Sequence, residues 1–395
     1  MRHLLCVAFL ASALTVVGAQ QPFTIAEGLY DASDSLTLGL SQADGTHTVM
    51  VFRPTATDDH YANGVALAAF KNTIYCMWQS SPTDEDSDDT HVMYSHSDDG
   101  GLSWSLPDTL QAALPHAYCT SGGFLATTDE MVAFVNIWPD SISPKGGFTY
   151  CRSSRDGKTW SALQPVMMAD GMPMPAVIEQ DFREVDGDIV SAAHFQPGLV
   201  VCPIYTDDMS GRAGWRRADY PVETYKEQSR GIEPSFFFAK GDEGLQDSTI
   251  VMILRDQRSS YHKMAASSSD VGRTWSQAVM TDMPDARTKQ CAGNMPDGTA
   301  FMVGCPVTNK KRYPLVVTLS DDGRHFDRAF LLRSGVARQT DDDGLLQPRR
   351  YAGKAKSLGY SYPKALVYGG YLFVGYATNK EDVEITRIPL AALAK

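Results

Sequence analysis

One short turn motif recurs along this 395-residue chain and constrains its fold more than any other feature. Three copies run SDDGGLSW at residues 97–104, SRDGKTW at residues 154–160 and SSDVGRTW at residues 268–275, with weaker copies at residues 320–326 and 206–215. These residue types suit a β-hairpin connection, because Asp accepts hydrogen bonds from loop amides, Gly adopts a left-handed backbone and Trp packs beneath the turn. The motif therefore predicts repeated hairpins.

The spacing of the motif predicts the architecture. Successive copies lie about 56 residues apart, and each follows a strand-like apolar run. Self-similarity at this period, with several strands per unit, is typical of a β-propeller. The 376 residues after position 19 hold between six and seven such units. We therefore predict an all-β chain in which residues 20–395 form a single β-propeller catalytic domain, with seven blades favoured over six.

The apolar runs predict where the blades begin. We place inner strands at residues 64–70, 123–127, 189–194, 249–255, 299–303 and 365–367. Residues 35–52 are expected to supply outer strands that close the ring against the C-terminal strands, because closure removes exposed sheet edges.

The first 19 residues resemble a secretory signal peptide. Arg2 precedes an apolar run over residues 4–17 that is too short to span a membrane, and Val17-Gly18-Ala19 fits a signal peptidase site. We predict cleavage after Ala19, secretion to an extracellular or periplasmic space, and no membrane anchor. Six cysteines then remain, and their spacing permits up to three disulfides without choosing among them.

Charge and motif content exclude several function classes. A formal net charge of −12, with no basic cluster longer than residues 310–312, argues against a nucleic-acid partner. The chain lacks a phosphate-binding Lys loop, a GxSxG elbow and an HExxH helix, so nucleotide hydrolysis, serine esterase and zincin chemistry have no support. The acidic run at residues 84–89 could bind structural Ca²⁺, although a solvated hairpin tip is the simpler interpretation. No other cofactor or metal is predicted, and the oligomeric state stays open.

The turn motif resembles the Asp box of sialidases and their BNR-repeat relatives, which implies the propeller but not the reaction. Sialidases resemble one another in an Arg-Ile-Pro motif, an early Asp acid, three arginines that bind the substrate carboxylate, and a Tyr/Glu nucleophile pair. Here Phe52-Arg53-Pro54 lacks the Ile, and the stretch that follows, residues 55–64, departs from the sialidase pattern. An exo-sialidase is therefore an alternative rather than the leading expectation.

Over nearly the whole mature chain the sequence looks closer to propeller enzymes that act on rhamnose linked to glucuronate, the L-rhamnose-α-1,4-D-glucuronate lyases and related α-L-rhamnosidases. The resemblance is carried by residues 75–81, 179–181, 193–198, 285–290, 293–298 and 360–364. It implies a secreted enzyme that removes terminal L-rhamnose from α-1,4-linked glucuronate by β-elimination. An α-L-rhamnosidase is one alternative, and a glycan-binding propeller without catalysis is another.

The loops that enter the blades supply candidate site residues. β-Elimination needs a partner for the uronate carboxylate, a base near the C5 proton and an acid for the leaving oxygen. We assign catalysis to His60, His194 and Tyr362. Substrate-binding candidates are Asn63, Gln180, Arg230, Arg255, Arg287, Lys289 and Gln290, of which Arg255 or Arg287 would neutralise the carboxylate. His47 is a weaker catalytic candidate. The two carboxylic acids that an ordinary glycosidase needs would have to come from Glu179 and Glu233, the only evident pair.

Overall fold

A computed structural model describes residues 20–178, 181–241, 244–337 and 345–394. Within these residues, six antiparallel sheets stand around a central axis as the blades of a propeller. The first strands of neighbouring blades contact one another and line the axis. No described helix is long and apolar enough to cross a membrane.

Each blade has four strand positions, numbered outward from the axis. Blade 1 comprises Tyr61–Phe70, Thr73–Ser81, His91–Ser97 and Asp108–Gln111; blade 2 comprises Ala117–Ala126, Met131–Pro139, Phe148–Ser154 and Gln164–Pro165. Blade 3 comprises Ala176–Val177 and Arg183–Val185, which share the first position, then Asp188–Phe195, Val200–Thr206 and Arg216–Arg217. Blade 4 comprises Gly231–Gly241, Gly244–Asp256, His262–Ser268 and Val279–Pro284; blade 5 comprises Cys291–Asn294, Ala300–Gly304, Leu315–Ser320 and Arg328–Arg333. Blade 6 comprises Tyr360–Tyr368, Tyr371–Thr378, Asp382–Pro389 and, from the N-terminal side, His47–Phe52.

Outside the blades, the described residues form two small ladders and one helix. Thr24–Ile25 pairs in parallel with His325–Phe326, and Thr224–Tyr225 forms a hairpin with Gln228–Ser229. A single 3₁₀ turn, Leu390–Ala392, follows the last strand.

The preference for seven blades is wrong: the described chain forms six. The turn motif joins the third and fourth strands of blades 1 to 5, which accounts for five copies. Blade 6 needs no such turn, because its fourth strand, His47–Phe52, pairs with Asp382–Pro389 and closes the ring as expected. Chain length overestimated the count because residues 20–46 and the described parts of the connection between Arg333 and Tyr360 add no blade.

The turns themselves have the expected chemistry. Asp99 accepts hydrogen bonds from the amide and the hydroxyl of Ser103 and from the hydroxyl of Ser97. These bonds hold the pKa of Asp99 well below its ordinary value. In the degenerate copy Trp215 is fully buried, and its indole N–H donates to the Gly211 carbonyl at 2.7 Å.

The apolar core is divided among the interfaces between neighbouring blades. One large cluster joins blades 5 and 6 around Val317 and Val374, and comparable clusters fill the remaining interfaces. The six cysteines of residues 20–394 lie in these layers as free, buried thiols rather than as disulfides. Burial raises the pKa of Cys119 to about 12, as expected for an unreactive core thiol.

Candidate active site

A cavity of about 250 Å³ opens at one end of the ring, where first strands begin and second strands end. Its walls come from blades 1, 2, 3, 4 and 6. The lining residues are Gln79, Glu85, Asp86, Tyr118, Thr120, Trp138, Lys145, His194, Leu199, Ile232, Glu233, Arg255, Gln257 and Tyr362. This lining is polar and carries charges of both signs.

At the centre of the cavity, a phenol, a carboxylate and a guanidinium are joined. The Tyr362 hydroxyl donates to Glu233 Oε1 at 2.9 Å, and Arg255 Nη1 donates to Glu233 Oε2 at 3.0 Å. Glu233 is 5% exposed, so both bonds lie largely out of water. The arrangement fixes the direction of the Tyr362 O–H bond and presents the phenol oxygen to the cavity.

Two β-bulges place these side chains at the axis. The pairing register shifts between Ile232 and Ser235 in blade 4 and between Ser361 and Lys364 in blade 6. Within these bulges Glu233 and Tyr362 have left-handed backbone, with φ of 53° and 55°. Left-handed conformations of non-glycine residues cost free energy and occur often at functional sites.

Blades 1 and 2 have bulges at corresponding points, but glycine occupies them. Gly64 has φ of 64°, and Gly123 has φ of 124°. A Cβ atom at Gly64 would lie 2.8 Å from Ser121 Oγ. Glycine is thus used where only the chain must turn, whereas blades 4 and 6 place the side chains of Glu233 and Tyr362 at the bulge.

Charge around Glu233 keeps it ionised. Burial alone would raise the pKa of Glu233, but the charges of Arg255 and Lys289 and the Tyr362 hydrogen bond outweigh burial and lower that pKa to about 2. The same ion pair raises the pKa of Arg255, against the opposing effect of burial. Glu233 is therefore an anion and Arg255 a cation at any ordinary pH.

The main chain of Glu233 is held on both sides. Its N–H donates to His194 Nε2 at 3.2 Å, and its carbonyl accepts a hydrogen bond from Gln290 Nε2 at 3.0 Å. Because His194 Nε2 acts as an acceptor, the neutral imidazole carries its proton on Nδ1. Both side chains fix the bulge that aims Glu233 at Tyr362.

Two lysines flank the ring of Tyr362. Lys289 Nζ lies 5.1 Å from the centre of the Tyr362 ring, and Lys380 Nζ lies 5.7 Å from it. Lys380 also pairs with Glu85 at 2.6 Å. Burial lowers the pKa of Lys380, and Glu85 opposes that shift. A nearby cation stabilises negative charge that develops on a phenol oxygen.

A pair of rings and an ion pair form the mouth of the cavity. Tyr118 and Trp138 stack with centroids 5.7 Å apart, and Lys145 Nζ lies 4.9 Å from the centre of the Trp138 ring. Lys145 also pairs with Asp86 at 2.7 Å, which links the blade 1 loop to the blade 2 loop.

The structure brings several predicted residues together. His194, Arg255 and Tyr362 line the cavity. Others touch its lining: Lys289 lies by Tyr362, Gln290 bonds the Glu233 carbonyl, Asn63 Nδ2 lies 3.5 Å from Glu85 Oε1, and Arg287 Nη2 donates to Gln257 Oε1 at 3.0 Å.

Other predicted residues lie elsewhere. His60 stacks on Tyr351 at 4.0 Å outside the cavity lining, and Arg230 pairs with Asp256 and Glu223. His47 is exposed on the closing strand of blade 6. Gln180 and Glu179 lie outside the described residues.

Sequence reasoning missed the acidic loop. The sequence predicts a solvated tip or a calcium loop at residues 84–89, but Glu85 accepts a hydrogen bond from Tyr61 at 2.9 Å and lines the cavity. Asp89 instead binds the hydroxyls of Ser81 and Thr83. Within the described residues no group of three or more His, Cys, Asp or Glu side chains could hold a metal ion.

Sequence reasoning also gave the central role of Glu233 no weight beyond a possible pair with Glu179. The signal that could have found it is the Tyr/Glu pair itself, sought as one glutamate and one tyrosine that each lie near the start of an inner strand. Tyr118 and Trp138 had no such signal, since aromatic residues in apolar runs are ordinary core residues.

Comparison with solved structures places the fold among sialidase propellers. The chain superposes on a sialidase with a TM-score of 0.62 at 17% identity, over 94% of this chain and 35% of that one. The chain thus spans about a third of that sialidase. An intramolecular trans-sialidase from Ruminococcus gnavus gives a TM-score of 0.61 at 12% identity, over 90% of this chain and 99% of that one. A protein of unknown function from Dyadobacter fermentans gives 0.64 at 15% identity, over 88% and 99%.

Identities this low establish the fold alone. No curated protein sequence matches the chain. The family described as BNR repeat-like domain matches residues 72–374, which include most of the ring and both Glu233 and Tyr362. With a sialidase-like propeller, five Asp-box turns and a family match over three quarters of its length, the chain belongs to the BNR repeat-like family.

Proposed function

We propose that this protein is a glycan-processing enzyme that removes a terminal sugar from a uronate-bearing glycan, with Tyr362 as the group that reacts with the sugar. The observation that carries the proposal is the buried contact of Tyr362, Glu233 and Arg255 at the centre of the cavity. Sialidases, whose fold this chain shares, are the glycosidases that use tyrosine as the nucleophile.

The geometry supports hydrolysis in two steps. In the first, the Tyr362 oxygen bonds to the anomeric carbon, its proton passes to Glu233, and the leaving oxygen departs with a proton from an acid. In the second, water attacks the same carbon and gives a proton to the conjugate base of that acid, while the Tyr362 oxygen leaves and takes its proton back from Glu233. Asp86, at the mouth of the cavity, supplies that proton in its protonated form, for which it must leave its ion pair with Lys145.

Glu233 is a weak base, because its pKa is about 2. Its main contribution is therefore to orient the phenol, and it takes the phenol proton only as the bond from the Tyr362 oxygen to the anomeric carbon forms, when that proton becomes acidic. Lys289 and Lys380 stabilise the phenol oxygen as its proton leaves. The tyrosine, rather than the carboxylate, is thus the nucleophile.

Charge around the phenol favours an anionic substrate. Arg255, Lys289 and Lys380 together exceed Glu233 and Glu85 by one positive charge. Among candidate substrates, rhamnosyl-glucuronate is favoured by the sequence resemblance. A sialoside is less favoured, because Arg255 is the single arginine in the described lining. Arg53, from the altered Arg-Ile-Pro motif, lies 3.6 Å from Asp382 instead.

β-Elimination is the second candidate reaction. It is favoured by the two lysines that flank the Tyr362 ring, since a phenolate beside cations can take the C5 proton as the base and return that proton to the leaving oxygen as the acid. Lys289 would then neutralise the uronate carboxylate. The rhamnosyl-glucuronate lyase reaction is thus retained as the alternative to hydrolysis.

Product analysis distinguishes these reactions. The purified protein is incubated with rhamnosyl-glucuronate oligosaccharides, and free rhamnose and the ultraviolet absorbance of an unsaturated uronate are followed together. Rhamnose without absorbance is expected for hydrolysis, and rhamnose with absorbance would assign elimination. A fluorogenic sialoside run in parallel tests the sialidase alternative. Binding without any product would overturn the proposal in favour of a non-catalytic glycan-binding propeller.

The place of action is also a proposal. The signal-like residues 1–19 support export, after which the chain would begin at Gln20. N-terminal sequencing of protein recovered from a secreting host tests this. A chain retained inside the cell with Met1 intact would contradict it.

A further inference from the structure

A second depression lies directly beside the cavity. It has a volume of about 490 Å³ and is lined by Pro144, Lys145, Gly198, Leu199 and residues 226–228. Lys145 and Leu199 also line the cavity. The two spaces therefore share a wall, and a chain of sugars leaving the cavity on this side would enter the groove.

Paired backbone holds the floor of the groove in place. The Leu199 N–H donates to the Glu227 carbonyl at 3.2 Å, and the Ser229 N–H donates to the Leu199 carbonyl at 3.0 Å. Gly198 has φ of 75°, and a Cβ atom there would lie 1.9 Å from the Glu227 carbonyl oxygen. The hairpin Thr224–Tyr225/Gln228–Ser229 is thus locked against the blade 3 turn.

The chemistry of the walls fits a neutral sugar. Lys145 is already paired with Asp86, and Lys226 stands beside Glu227, so neither charge dominates the groove. Leu199 and Pro144 offer an apolar surface for the C–H face of a sugar ring. Gln228 and the adjoining charged side chains offer donors and acceptors to hydroxyl groups.

We infer that this groove is a second glycan subsite, which binds a neutral sugar unit of the same chain whose terminal part occupies the cavity. The inference rests on the proposed function, since it takes the cavity to hold a glycan end. Because the groove and the cavity share a wall at Lys145 and Leu199, the sugar in the groove belongs to the same chain as the sugar in the cavity. Lys145, held by Asp86, marks the boundary between the two subsites.

Filling the groove tests the inference. Glu227 is exposed on the hairpin, so Glu227→Trp adds bulk to the groove without disturbing buried packing. Asp129→Trp is the matched control, because Asp129 is exposed at the opposite end of blade 2 and the charge change is the same. Each change is made in a Tyr362→Phe background, so that binding is measured without turnover.

The probes are a rhamnosyl-glucuronate disaccharide and a tetrasaccharide in which two neutral sugars extend the same unit. With Glu227 and Asp129 intact, the tetrasaccharide is expected to bind about tenfold more tightly than the disaccharide, a difference in binding free energy of ~1.4 kcal/mol. Glu227→Trp abolishes that advantage without changing disaccharide affinity, and Asp129→Trp preserves it. Equal affinity for both probes before the groove is filled, or an advantage that survives Glu227→Trp, overturns the inference. Failure to bind the disaccharide would count against the proposed function instead.

Discussion

Replacing Glu233 by Gln tests whether the buried carboxylate is held in the anionic form by its neighbours. The side chain keeps its shape but loses its charge beside Arg255 and Tyr362. In the wild type the pKa of Glu233 falls from 4.5 to about 2, a decrease of about 2.5 pH units. At about 1.4 kcal/mol per unit, this corresponds to about 3 kcal/mol of stability that depends on ionisation of Glu233.

The pH dependence of this stabilisation follows from the direction in which the pKa of Glu233 is shifted. Because the pKa is lower in the folded state, the stabilisation is complete above pH 4.5 and is lost as pH falls towards 2. The difference in unfolding free energy between wild type and Glu233→Gln should therefore be constant from pH 7 to about 5. Below pH 4.5 it should shrink by about 1.4 kcal/mol per pH unit.

Urea denaturation followed by tryptophan fluorescence at half-unit pH steps measures this difference. Other acidic groups titrate in both proteins and cancel. Glu184→Gln, on an exposed position of blade 3, serves as the control and should change stability by less than about 0.5 kcal/mol throughout. A difference for Glu233→Gln that stays flat between pH 5 and pH 3 would refute the argument that Arg255 and Lys289 keep this carboxylate ionised.

Three further outcomes are expected. Glu384→Gln should lower the free energy of unfolding by about 3–5 kcal/mol in urea denaturation, because it leaves the charge of Arg333, which is 2% exposed and pairs with Glu384 at 3.2 Å, without its partner. Adding Arg333→Met should restore part of this stability, and an unchanged stability of Glu384→Gln would contradict the argument. Gly157→Ala should lower the melting temperature more than Gly171→Ala does. Both glycines have left-handed backbone, but a Cβ atom at Gly157 would lie 1.9 Å from the Tyr75 hydroxyl, whereas no atom lies within 4 Å of a Cβ atom at Gly171. Equal melting temperatures for the two variants would contradict the packing argument. A thiol reagent should modify none of the six buried cysteines in the folded protein and all six after unfolding without reductant, and fewer than six would reveal a disulfide.

The turn motif could be interpreted from sequence because its structure is local. The Asp270 carboxylate, for example, accepts hydrogen bonds from the amide and the hydroxyl of Thr274, four residues later, so all the hydrogen-bonding groups lie in one short segment. The number of blades could not be obtained in the same way. It was estimated from chain length, which includes residues 20–46 and the connection between Arg333 and Tyr360, although the described parts of these segments add no blade.

The predicted inner strands show where hydrophobicity misleads. Residues 64–70, 123–127 and 365–367 lie in first strands as expected, but 189–194, 249–255 and 299–303 lie in second strands. Second strands pack against neighbouring blades on both faces and so form continuous apolar runs. First strands border the polar axis, and their runs are interrupted by residues that serve the site.

Part of the candidate site was accessible from sequence, and part was not. Tyr362 and Arg255 were found because they are reactive or charged side chains beside strand runs. The role of Glu233 depends on a left-handed residue inside a bulge, which sequence does not reveal. His60 was favoured because loops carry sites, yet its loop packs against Tyr351.

The central claim is that Tyr362 reacts with the sugar, and its removal tests that claim most directly. The measurement is kcat/KM for rhamnosyl-glucuronate oligosaccharide with Tyr362→Phe, compared with wild type and with Tyr371→Phe, which changes a tyrosine outside the cavity lining. The account predicts that Tyr362→Phe lowers kcat/KM by about 10³-fold while Tyr371→Phe leaves it unchanged. A Tyr362→Phe enzyme that retains kcat/KM within about threefold of an active wild type would contradict it.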